Sequence, residues 1–87
     1  MPSLTVVEVD ELDQLLSLLA EEPQSEACRN AHEHVQGARQ YLLGAMLGEC
    51  QLNLELARRS AARIPDHDKR AKVERVLGNL LNHELRL

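Results

Sequence analysis

Eighty-seven residues make one domain at most, and a core of that size is marginal unless it packs tightly or another chain contributes surface. The formal net charge of −4 opposes phosphate binding, and no aromatic residues interleave with the basic ones to stack on bases, so a nucleic-acid partner is not expected. No apolar run reaches membrane-spanning length and no basic segment followed by an apolar run opens the chain, which together predict a cytoplasmic protein without membrane contact.

A first helix is predicted over residues 6–22. Thr5 suits its N-cap, with Glu8 reaching back as the capping-box partner and Leu4 stapling onto Val9. The β-branched run Val6, Val7, Val9 supports a competing reading, an extended arm with the helix beginning at Asp10. Either way Val9, Leu12, Leu15, Leu16 and Leu19 form a buried face, Asp10, Glu11 and Asp13 complement the positive end of the helix dipole, and Pro23 stops the helix. Residues 1–26 carry seven acidic side chains and no Lys or Arg. That acidic helix is expected to lie near the basic region from Arg58 to Arg75, within the chain or across a dimer.

Residues 25–63 organise the rest. Ser25 is a plausible cap, and Cys28, Ala31, Val35, Ala38, Leu42 and Ala45 fall on one helical stripe. Leu47, Cys50, Leu54, Ala57, Ala61 and Ile64 form a second. The step between the stripes is two residues, so on a straight helix at ~100° per residue they point to opposite sides. The favoured reading is one long helix, since no Pro, Asn or Asp accompanies Gly44 and Gly48. The alternative is a break at those glycines, giving four helices in an up-and-down bundle. Arg58, Arg59 and Arg63 sit where cations favour a helix C-terminus, and Pro65 ends the segment. Asp66 and Asp68 open a last helix over 67–85, with Val73, Val76, Leu77, Leu80, Leu81 and Leu85 on its buried face.

The expected architecture is therefore a single all-α domain. A long central helix is flanked by antiparallel N- and C-terminal helices, and the bundle is completed by dimerisation. The segment from Tyr41 to Leu47 leaves almost no polar side, so Tyr41, Leu42, Leu43, Met46 and Leu47 are the candidate interaction surface.

Chemistry-bearing residues are sparse. Cys28 and Cys50 lie on the apolar stripes and read as buried free thiols, too far apart on a continuous helix for a disulfide. Cys28 and His32 have a spacing that can present two metal ligands, but His34 points elsewhere and His67 and His83 are remote, so no metal is expected. The carboxylates of the first helix read as solvated, no nucleophile motif or phosphate-binding loop is present, and neither an enzyme nor a cofactor is expected.

The residues Ala31-His32, Gly37, Leu43-Gly44-Ala45, Cys50 and Glu55 resemble the pattern of histidine phosphotransfer domains of bacterial phosphorelays. Those are four-helix bundles in which an exposed helical His accepts a phosphoryl group, followed by a Lys and Gly, a Leu-Gly-Ala-like turn and a helix bearing a Cys. With His32 as acceptor Cys50 is correctly spaced, while Gly37 and Gly44 come late. With His34, Leu43-Gly44-Ala45 fits, while Gly37 stands in place of Lys and Cys50 comes early. The resemblance implies phosphoryl acceptance by His32 or His34. The composition and the surplus apolar surface point instead to a non-enzymatic adaptor, anti-activator or helix-binding chaperone, acting as a homodimer on an unidentified protein partner.

Overall fold

The computed structural model describes residues 2–22 and 24–82, with side chains from residue 8 onward. These residues form four α-helices and no strand: α1 Pro2–Ala20, α2 Glu26–Leu43, α3 Leu47–Ala61 and α4 His67–Asn82. Helices adjacent in sequence pack side by side, and α4 also packs against α1, which closes the ring around one core. The body measures 37 × 18 × 18 Å, about one helix long and two helices wide.

The continuous central helix is not observed. Ser25 caps α2 as expected, its Oγ accepting the Cys28 N–H at 3.2 Å. At the other end α2 stops at Gly44, and Ala45 turns into the left-handed region at φ 60°. The Ala45 N–H donates to the Leu42 carbonyl at 3.0 Å and the Met46 N–H to the Tyr41 carbonyl at 2.8 Å. This pair of bonds is a Schellman motif, which satisfies two of the carbonyls a helix end leaves open. Met46 then takes the N-cap position of α3 without supplying a side-chain hydrogen bond. Gly44 thus belongs to the turn, whereas a Cβ at Gly48 would meet nothing within 4 Å, so Gly48 is no packing notch.

Reversal at Ala45 changes what the two stripes do. Asn53 stands against Gly37, and Ala27, Asn30 and His34 share a groove with Arg63, Ser60 and Leu56, an antiparallel register centred on Ala45. Stripes that would diverge on a straight helix now converge. Cys28, Ala31, Val35, Ala38 and Leu42 meet Cys50, Leu54, Ala57, Ala61 and Ile64 in one core. Alanines in both rows let the two backbones approach closely. A Cβ at Gly37 would sit 3.0 Å from Asn53 Oδ1, the end of a side chain that would have to give slightly to admit it.

Leu12, Leu15 and Leu19 of α1 close one side of the core, while Val73, Leu77 and Leu80 of α4 close the other. The boundaries of α1 differ from expectation. It begins at Pro2, a residue suited to the first helical position, so Thr5 lies inside the helix and not at its N-cap. Asp10, Glu11 and Asp13 consequently sit in mid-helix, beyond the reach of the terminal dipole. The Leu4–Val9 staple, like Leu85 and His83, lies outside the described side chains.

Beyond α1, the Gln24 side chain donates to the Ala20 carbonyl at 2.9 Å, and the buried Lys69 Nζ donates to the Glu21 carbonyl. Asp66 caps α4, Oδ1 accepting the Lys69 N–H at 2.8 Å. One acidic side chain of α1 pairs with a cation, Asp13 with Arg39 of α2 at 2.8 Å, while just beyond the helix the Glu21 backbone carbonyl meets Lys69 of α4. Arg39 lies outside the basic region expected to neutralise it. No helix among the described residues is long and apolar enough to cross a membrane.

Candidate interaction surface

The exposed large apolar side chains among the described residues are Tyr41 (37 %), Leu43 (58 %), Met46 (48 %) and Leu52 (59 %), all on the α2–α3 hairpin. Three of them fall within six residues at its tip. The turn sets this display: the Schellman bonds place Tyr41 and Met46 at the two positions whose side chains commonly touch across such an end. Of the five residues singled out from the sequence, Tyr41, Leu43 and Met46 are exposed, Leu47 is half-buried, and Leu42 belongs to the core at 5 % exposure. Leu52 was missed. It falls off the second stripe, and an apolar residue off the stripe was the signal available for it.

The tip departs from the residues its geometry favours. Left-handed backbone disfavours L-residues by roughly 1–2 kcal/mol, yet Ala45 occupies it while Gly44, one position earlier, has an ordinary φ of −87°. An N-cap favours Ser, Thr, Asp or Asn over an apolar residue by about 1 kcal/mol, yet Met46 holds that place. Stability is forgone twice within two residues. Ala45 is exposed and Met46 about half exposed.

A second feature lies farther along the same hairpin. Asn30 and His34 of α2, each one turn from the other, share a groove of about 510 Å³ with Arg59 and Ser60 of α3 and Arg63 just beyond it, and Ala27, Leu56 and Ala62 add apolar lining. His32 lines a different groove with Leu19, Gln24, Arg29, Glu33 and Gln36. The two candidate histidines are therefore separated, as their angular offset on α2 requires. Among the described residues no group of three His, Cys, Asp or Glu side chains could hold a metal ion. Cys28 is enclosed and takes a contact from Ser25 Oγ at 3.4 Å, and His67 Nδ1 faces Arg70 at 2.9 Å.

Cys28 and Cys50 are both free and buried. In the antiparallel register Cys50 lies level with Gln40, some twelve positions along α2 from Cys28, or about 18 Å at the helical rise. A disulfide is out of reach. Burial pushes the Cys50 thiol up to about 11, and the neighbouring Glu8 carboxylate adds to the rise. Glu8 is only 5 % exposed, which corrects the reading of the α1 carboxylates as solvated. Its place was legible as a fourth point on the buried row Glu8, Leu12, Leu15, Leu19.

Comparison with protein-family models, with curated proteins and with solved structures finds no match for this chain.

Proposed function

We propose that this protein acts by protein–protein contact through the tip of its α2–α3 hairpin, first with a second copy of itself and then with a partner protein as an adaptor or regulator. One observation carries this reading: Tyr41, Leu43 and Met46 stand exposed on a turn whose residues sacrifice local stability. Local rules are broken most often where function requires it. Each of these side chains is already about half covered, so a partner that buries it recovers about half of the roughly 1.5–3 kcal/mol of a fully exposed one, and the contact relies on several of them, with Leu52, acting together. Because the hairpin encloses both stripes within one subunit, the tip and Leu52 replace the whole central belt as the basis for self-association.

The test is sedimentation across micromolar concentrations for the natural chain and for Leu43→Lys and Met46→Asp. Met46→Asp places an acceptor at the α3 N-cap, so it is expected to raise the melting temperature while dissolving the dimer. A natural chain that stays monomeric throughout, or variants that associate unchanged, would remove the proposal.

Phosphoryl acceptance by His34 is a second reading, supported by the four-helix arrangement and by a partly exposed imidazole in a groove with two arginines. Incubation with a phosphodonor receiver domain and detection of an acid-labile adduct lost in His34→Gln tests it separately.

A further inference from the structure

The groove between α2 and α3 differs in composition from the grooves around His32 and beside Arg39. Its five polar side chains, Asn30, His34, Arg59, Ser60 and Arg63, can all donate hydrogen bonds, and its lining contains no carboxylate. The groove around His32, by contrast, contains Glu33, and the one beside Arg39 contains both Asp13 and Glu33.

Some cations elsewhere have partners. Arg39 is paired with Asp13, Arg70 donates to the Ile64 carbonyl at 3.2 Å and faces His67, and Lys69 donates to the Glu21 carbonyl. The side chains of Arg59, Arg63, Asn30, His34 and Ser60 make no hydrogen bond or ion pair among the described residues; those of Arg29, Arg58, Lys72 and Arg75 outside the groove make none either, so the groove is set apart by gathering five donors in one place with no carboxylate. Two guanidiniums four residues apart, facing a second row of donors, concentrate positive charge and hydrogen-bond donors in a chain that is acidic overall.

We propose that this groove binds a phosphate monoester. A guanidinium offers paired N–H groups that match two oxygens of one phosphate, and two of them on one face suit a tetrahedral dianion better than a single planar carboxylate. Asn30, Ser60 and His34 supply further donors from the opposite wall and the same helix. The half-buried Ala27 and Leu56, with the exposed Ala62, supply apolar lining of no use to bare inorganic phosphate but able to pack against the organic part of an ester. The binding is non-covalent and independent of the hairpin-tip contact.

The experiment is an amide-resolved NMR titration of the full chain at fixed ionic strength with phenyl phosphate, inorganic phosphate and benzoate. Phenyl phosphate is expected to produce saturable shifts centred on Asn30, His34, Ser60 and Arg63, with weaker binding by the other two. Arg59→Gln and Arg63→Gln, both exposed positions, should each weaken phenyl phosphate about tenfold, while Arg58→Gln outside the groove leaves it unchanged. His34→Gln keeps a donor and retains binding, although it would abolish phosphoryl acceptance, so the two ideas separate. Shifts that never saturate, equal losses in Arg58→Gln, or benzoate binding as tightly would overturn the assignment. Inorganic phosphate binding as tightly as the ester would overturn the monoester class.

Discussion

Ala45 offers the sharpest test of how the hairpin is held. At φ 60° its Cβ crowds the following carbonyl, a penalty of roughly 1–2 kcal/mol that glycine escapes. Glycine also loosens the unfolded chain, which returns about 0.4–1 kcal/mol of that gain. Ala45→Gly should therefore stabilise the fold by about 0.5–1 kcal/mol, a rise in melting temperature of about 2–8 °C for a domain of this size. Gly44 is the mirror case. Its φ of −87° suits alanine, and a Cβ there would sit 3.5 Å from the Gln40 carbonyl oxygen, an ordinary contact, so Gly44→Ala should add a further ~0.4–1 kcal/mol. Ala62→Gly, at the right-handed cap of α3 with φ −62°, is the control and should destabilise by about 0.5–1 kcal/mol. The assay is thermal and urea unfolding followed by circular dichroism. If Ala45→Gly is neutral or behaves like Ala62→Gly, the left-handed turn, and with it the hairpin geometry, is wrong.

Further outcomes follow from the same structure. Removing a cap acceptor, by Ser25→Ala in α2 or Asp66→Ala in α4, should lower stability by about 1 kcal/mol each in urea melts. Leu54→Ala and Leu77→Ala empty fully buried sites and should cost about 2–5 kcal/mol, enough to unfold much of the population in a domain this small. The buried Cys50 thiol should resist a thiol reagent until the protein unfolds. Its folded value of about 11 lies above the ordinary 9.0, so the folded state holds that proton longer. Stability from this group is complete below pH 9 and declines as pH rises from there to about 11, by at most ~3 kcal/mol, and Cys50→Ala should flatten that part of the pH profile.

Much of the molecule was legible from residue spacing. The all-helical class, the buried rows of all four helices and the caps at Ser25 and Asp66 each follow from local chemistry: a period near 3.6, a side-chain acceptor before the first turn, a proline after the last. The break at Gly44 to Met46 was not legible in the same way, because the turn is built against its usual vocabulary. Alanine stands where glycine is favoured and methionine where an oxygen acceptor is favoured, so nothing local outweighed a continuous helix. Only packing decided it. Once the chain reverses at Ala45, two stripes that would face apart enclose each other, and the apolar burial gained exceeds the strain of one left-handed alanine. Glu8 shows the same division from the other side, since its spacing places it on the buried row while its charge suggested solvent. Sequence thus set which faces are apolar, a property of side chains taken one helix at a time. Which face meets which, and which residues are left outside, depends on contacts between segments, and those exist only after the chain has folded back.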